Sequence, residues 1–397
     1  MPRIEPFPVR VPEQDLTDLR LRLDLARLPT PEPVEAVHDR HLDRLEILVD
    51  AWRQHDWRSL EQRWNAIPHY RAHIDGLGIA FWHVPSPERT AVPLVLTHGW
   101  PGSPLEFETL IGPLTDPVAH GGSADQAFHL VIPSLPGFGF SDRPLGQDWS
   151  PCRTAQVWSE LMTALGYERF AAHGGDWGAF VSIELARLFP ERVIGLHLTM
   201  PLASATPEDR VNPRDADRRV FDHHQRHLVD GFGFEPIQSI RPQTLAYSLQ
   251  DSPVGLASWL GEKLVASSDT RPEAGGGVSV EQQVDNIALY WLTGTAASTA
   301  RCYRETKRWA PGLEDDETES QVTVPTACTL FPAEPYPIAR QWAERRFSNL
   351  IQWNEVDRGG HFPGWEQPEL LTGELRRAFR RVDRTCPRYS WFALNAS

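Results

Sequence analysis

The chain has 397 residues, 41% of them hydrophobic, and sets 39 basic against 53 acidic residues for a formal charge of −14. Such apolar content supports a sizeable core, in one large domain or in two or three smaller ones. The acidic sign excludes nucleic acid and anionic membrane as partners, and no apolar run nears the roughly 20 residues of a spanning helix.

Residues 13–28 repeat apolar positions at helical spacing and stop before Pro29, so a helix is expected there. A second periodic stretch covers about 39–65 and carries Leu42, Leu45, Leu48, Trp52, Trp57, Leu60 and Trp64. HYRAHIDGLGIAFWHV then alternates around the turn pair Asp75-Gly76, the pattern of a β-hairpin. From about residue 92 short apolar runs take over: VPLVLTH, FHLVIP, RFAAHG, VIGLHL, VTVPTACTL and LIQWNEV. Helix-like segments at 154–166 and 178–189 separate several of them. The fold class expected is therefore α/β, with a mostly parallel sheet covered on both faces. Residues 205–310 lack such strands and carry helical stretches at 240–265 and 279–305, so they read as a helical lid. The turn-rich SSDTRPEAGGGVS between those stretches is expected to be mobile. The expected division is a meander over 1–90, a core over 91–204 and 311–383, a lid over 205–310 and a tail over 384–397.

The chemistry centres on Gly174-Gly175-Asp176-Trp177-Gly178, between a strand-like and a helix-like run. A turn that sharp leaves no room for side chains two positions either side of its apex, hence the glycines. It sets the apex residue at a helix N-terminus, where the dipole favours a carboxylate. Asp176 is thus a candidate nucleophile, the alternative being a plain N-cap. His98-Gly99-Trp100-Pro101-Gly102 follows an upstream strand, and the amides of Trp100 and Trp177 would form an oxyanion hole. Downstream, Glu334 follows one strand and His361 the next. The order oxyanion loop, nucleophile, acid, histidine completes a catalytic set, with Asp209 the runner-up for the acid. His98 is expected to hold its turn and, with Pro101 and Phe234, to border the pocket. His223, His224 and His227 lie near helical spacing, but no carboxylate or Cys set completes a metal site, so a solvated lid helix is the better reading. Trp259 and Trp291 are expected in the core. No cofactor and no metal are expected. Cys152, Cys302, Cys328 and Cys386 are dispersed and without a CxxC, and the N-terminus has no apolar signal core, so a reducing cytoplasm is the expected setting. Asn395-Ala396-Ser397 then reads as an accidental sequon.

HGWPGSPLEF, PGFGFSD, GGDWGAF, FPAE and RGGHFPGWEQPEL, with the lid segments RPQTLAYSLQDSPVGLASWLGEK and ALYWLTGTAASTARCYRE, resemble the epoxide hydrolases of the microsomal type. WNAIPHYRAHIDGLGIAFWHV resembles the N-terminal domain that marks this branch, and the likeness runs in order from residue 4 to about 380. It implies an α/β-hydrolase fold and hydrolysis of an epoxide to a vicinal diol through a covalent Asp176 ester. His361 would activate water, Glu334 would orient His361, and Tyr303 would donate a proton to the epoxide oxygen. The family's other lid tyrosine corresponds to Phe234, in Gly231-Phe232-Gly233-Phe234, which has no proton to give. Tyr247 and Tyr290 are nearby in sequence, though both look like core positions. The implied partners are a small hydrophobic epoxide and water, with a homodimer left open; detoxification and natural-product biosynthesis both remain open roles. Microsomal relatives carry an N-terminal anchor, and this chain begins at the meander, so a soluble form is expected. A haloalkane or haloacid dehalogenase would use the same Asp and His, and a degenerate hydrolase acting as a binding protein is a third alternative.

Overall fold

A computed structural model describes residues 2–28, 39–146, 149–230, 233–309, 321–380 and 382. Phe232, Cys386 and the sequon at Asn395 lie outside the described residues, as does the side chain of His227.

Among the described residues nine strands form one sheet: β1 (Arg3–Pro6), β2 (His69–Ile74), β3 (Leu77–Val84), β4 (Val92–Thr97), β5 (Phe128–Pro133), β6 (Phe170–Gly174), β7 (Val193–Leu198), β8 (Thr326–Leu330) and β9 (Leu350–Glu355). Their order is β1-β2-β3-β5-β4-β6-β7-β8-β9. The pairs from β1 to β5 are antiparallel, and those from β5 through β4 to β9 are parallel. Every residue of β4, β5, β6 and β7 is buried. That double-sided burial explains why those runs read as unbroken apolar stretches rather than alternating ones. The hairpin falls at Asp75-Gly76, both with positive φ. Chain order reverses across β5-β4-β6, and the crevice beyond the carboxyl ends of strands at such a switch is where α/β sheets bind ligands.

The N-terminal region contributes α1 (Glu13–Asp24), α2 (Asp39–Gln54) and α3 (Trp57–Ala66). The expected continuous stretch over 39–65 is two helices, because the Asp56 carboxylate accepts the Arg58 N–H and starts a new helix. Strand β1 was not legible: four residues at the sheet edge carry too little pattern. Next come α4 (Ile111–Thr115), α5 (Pro151–Ala164) and α6 (Asp176–Leu188), the last two on either side of β6 in the chain.

Among the described residues seven α-helices stand between β7 and β8: α7 (Pro207–Val211), α8 (Asp215–Asp230), α9 (Phe234–Ile240), α10 (Pro242–Asp251), α11 (Pro253–Ala266), α12 (Val280–Thr293) and α13 (Ala296–Trp309). Then come α14 (Arg340–Arg346), α15 (Pro363–Glu366) and α16 (Pro368–Phe379). Helix α12 reaches down onto the loop after β4: the Asn286 amide donates to the Pro101 carbonyl at 2.6 Å and the Tyr290 hydroxyl to the Gly102 carbonyl at 2.8 Å. The stretch between α11 and α12, expected to be mobile, is tied down. Asp269 is buried, accepts the Gly359 N–H, and pairs with Arg271, while its own N–H donates to Glu366. Glycines there serve turns, three of them at positive φ, rather than a free loop.

Candidate active site

Asp176 ends the β6 turn at φ +48°, in the left-handed region that costs a non-glycine residue about 1–3 kcal/mol. The glycines around it meet the expected steric demand. A Cβ on Gly174 would strike the Gly178 carbonyl, one on Gly178 the Thr97 carbonyl, and one on Gly99 the Asp176 side chain itself. Oδ1 of Asp176 accepts the Trp100 N–H at 2.6 Å. Oδ2 lies 3.4 Å from Nε2 of His361. On the other side of the ring, Nδ1 of His361 lies 2.9 and 3.1 Å from the two oxygens of Glu334. The His361 N–H donates to the Ser267 carbonyl, so the pinned lid stretch also fixes the histidine loop. Asp209 is excluded as the orienting acid: its carboxylate is taken by Thr206 and Arg345.

The electrostatics follow from that chain of groups. Burial opposes a charge on His361, but the Glu334 charge and the hydrogen bonds of Asp176 and Glu334 outweigh it and hold the imidazole pKa well above its ordinary value. Glu106, fully enclosed behind them, is pushed up to about 8, burial being the main cause. It shares with His361, Asp176 and His173 a chamber of about 10 Å³, the room one water needs. Sequence reasoning passed over Glu106, which sits inside the HGWPGSPLEF motif with nothing in its spacing to mark it.

Above Asp176 opens a cavity of about 400 Å³, within the usual range of small-molecule sites. Trp100, Pro101, Phe234 and Tyr303 line it, together with Asp176 and His361. The Tyr303 ring stands edge-on to Trp100 and Trp177, with centroids 5.5 and 4.7 Å away. Burial, then the charge of Asp176, raises its phenol pKa well above the ordinary value, so it is a neutral donor. Phe234 stacks on Trp100 at 5.1 Å and meets Tyr303 edge-on at 5.8 Å.

His98 and Tyr247 depart from expectation, whereas Trp259 and Trp291 pack against the core as expected. His98 does not border this cavity: it lies buried beneath, its Nε2 accepting the Leu135 N–H and its Nδ1 lying 3.0 Å from the Gly99 carbonyl. Its place directly after a central strand fixes it inside the fold. Tyr247 is no core residue but 71% exposed, on the outer face of α10. Trp259 and Trp291 pack away from the cavity, Trp259 donating to Gln238 and Trp291 meeting Trp52. His223 lines the cavity. Among the described residues no group of three His, Cys, Asp or Glu is disposed to hold a metal ion. Lys263 and Tyr336 also line the cavity and were missed. Lys263 is one of only two lysines in the chain and Tyr336 stands two residues past Glu334, the only signals the sequence offers for them.

Comparison with known proteins bears on this geometry. Residues 4–107 match the family described as "Epoxide hydrolase N terminus" and residues 92–236 the "alpha/beta hydrolase fold". The chain is 33% identical to "Epoxide hydrolase 1" of Oryctolagus cuniculus, over 96% of this chain and 90% of that protein. It superposes on the Aspergillus niger epoxide hydrolase with TM-score 0.84 at 29% identity, covering 96% and 97% of the two chains. Juvenile hormone epoxide hydrolase of Bombyx mori gives 0.83 at 27%, covering 95% and 94%. A likeness that spans the N-terminal region, the sheet and the lid alike assigns the whole chain: it belongs to the microsomal-type epoxide hydrolase family.

Proposed function

We propose that Asp176 opens a hydrophobic epoxide by forming a covalent ester, and that water activated by His361 then releases a vicinal diol. The observation that carries this reading is the unequal dressing of the two Asp176 oxygens. Oδ1 is held by the Trp100 amide, which leaves Oδ2 as the attacking atom. A carboxylate is ionised at neutral pH and attacks without a base. The epoxide C–O bond breaks as the Oδ2–C bond forms, and the oxygen takes a proton from Tyr303. In the ester, Oδ1 is the carbonyl oxygen, already facing the Trp100 amide. The Trp177 amide, in the first turn of α6, is the second donor for the oxyanion.

The same step prepares the base. While Asp176 is charged, His361 is held as a cation. Esterification removes that charge and one of the hydrogen bonds that raise the imidazole pKa, so the cation releases its extra proton to solvent and the neutral ring can then take one from water. Water seated beside Glu106 and His361 attacks the ester carbonyl, and Glu334 stabilises the imidazolium that forms. The aromatic wall of Trp100, Phe234 and Tyr303 suits a hydrophobic, aryl-bearing substrate.

A Ser at this elbow would end as an ether that water could not cleave, whereas the Asp ester turns over. Single-turnover hydrolysis of styrene oxide in heavy-oxygen water tests the route. The first diol carries an enzyme oxygen and no label; label in that diol would sink the reading. With His361→Gln the ester accumulates as a mass increase on the peptide bearing Asp176. Halide release from a haloalkane panel, with no diol formed from any epoxide, would favour the dehalogenase alternative.

A further inference from the structure

We infer that Tyr336 supplies the second phenol for the epoxide oxygen, opposite Tyr303, in place of the proton donor that Phe234 cannot be. This rests on the ester mechanism above. It starts from an account of the tyrosines. Among the described residues six are present. Tyr70 stacks on Phe81 at the sheet edge, Tyr167 bonds His83, Tyr290 donates to the Gly102 carbonyl, and Tyr247 faces solvent. Only Tyr303 and Tyr336 of the described six line the cavity that holds Asp176 and His361.

Tyr336 reaches it from another direction. Tyr303 stands on lid helix α13, whereas Tyr336 follows β8, on the loop that carries Glu334. Its N–H donates to Oε1 of Glu334 at 3.1 Å, which fixes the loop and so the approach of the ring. Phe234 is already committed, flat against Trp100 with Lys263 Nζ 5.0 Å from its centroid. Lys263, whose ammonium stands over the Phe234 ring, is paired with Glu262. Burial, then the charges of Glu235, Asp176 and Glu334, hold the Tyr336 phenol neutral, and Tyr303 in turn feels Tyr336 and Asp176, as groups facing the same space do. In the alkylation step the C–O electron pair passes to the epoxide oxygen, which takes the proton of one phenol while the other donates a hydrogen bond. The phenolate regains its proton when the regenerated Asp176 acid ionises.

The test is rapid-quench measurement of ester formation and ester decay with styrene oxide, in Tyr303→Phe, Tyr336→Phe, the double variant, and Tyr336→Phe with Phe234→Tyr. Each single change slows ester formation about 10- to 100-fold, the double variant forms no ester, and Phe234→Tyr restores the Tyr336→Phe loss. Ester decay in Tyr336→Phe stays at the parent rate, because the backbone N–H that holds Glu334 remains. Parent-like ester formation in Tyr336→Phe, or equal slowing of both steps without rescue, overturns the assignment. In case the variant folds poorly, 3-fluorotyrosine at position 336 gives a same-shape probe: the alkaline limb of ester formation moves to lower pH, and an unmoved limb overturns the assignment. An absence of ester in the parent enzyme would instead refute the ester mechanism itself, so the two failures are distinct.

Discussion

At φ +48°, Asp176 is held where a carboxylate residue resists standing, and its neighbours leave it no alternative. Strain of this kind persists because the surrounding backbone over-determines it. The reward is orientation: one oxygen on the Trp100 amide, the other toward the cavity and His361. Glu334 is the residue whose role can be separated from the rest. Glu334→Gln keeps its shape but removes the charge that most favours the His361 cation. Ester formation should stay within about tenfold of the parent while ester hydrolysis falls about 100-fold or more. Stopped-flow traces would then show the ester as the resting species; equal loss in both phases would refute an orienting role.

At the scale of elements, the site is a joint between three parts of the chain. The sheet offers the carboxyl ends of β4 and β6, and the stretch between α11 and α12 fixes the histidine loop through Ser267. Helix α12 clamps the loop after β4 through Asn286 and Tyr290, and its Asp285 receives Arg63 and His55 from the N-terminal region at 2.6 and 2.7 Å. A helix pinned at both sides transmits lid position to the Trp100 amide. Tyr290→Phe leaves the buried Gly102 carbonyl without that donor, a loss of about 1–3 kcal/mol. The urea midpoint should fall accordingly, and kcat with it as the oxyanion donor loosens. A midpoint that falls with kcat unchanged would mean the clamp serves stability alone.

Across the whole molecule, buried neutral histidines are an unusual burden on a sheet. His173 and His197 meet between β6 and β7 with their Nδ1 atoms 2.9 Å apart, and His197 continues to Thr329 and Glu374. Burial drives His69 and His83 down to about 3, and His98, His129 and His173 to about 4. Their folded pKa values lie below the unfolded value, so the unfolded chain binds more protons as pH falls below about 6.5. Each such site lowers stability by about 1.4 kcal/mol per pH unit between there and its folded pKa. His361, raised rather than lowered, runs the other way: its contribution is complete below about 6.5 and is lost as pH rises through its folded value. The five outweigh the one, and the urea midpoint should drop steeply from pH 7 to pH 5. A flat midpoint would show those rings to be charged in the folded state. Among the described residues no helix is long and apolar enough to cross a membrane.

The sequence by itself determined what local covalent and steric rules can write. Glycine two positions either side of Asp176 and strands buried on both faces are each set within a few residues, and the order of the proposed oxyanion loop, nucleophile, acid and histidine is plain along the chain. The break between α2 and α3 is equally local, set by the Asp56 cap. Which residues meet was decided only by the tertiary structure, because side-chain direction on loops depends on what packs against them. His98 and Pro101 stand three residues apart, yet one is beneath the site and the other on its wall. Asp209 and Glu334 were rival acids until Arg345 was seen to occupy one and His361 the other. Tyr336, far from the lid in the chain, comes to the cavity only because the sheet carries its loop there.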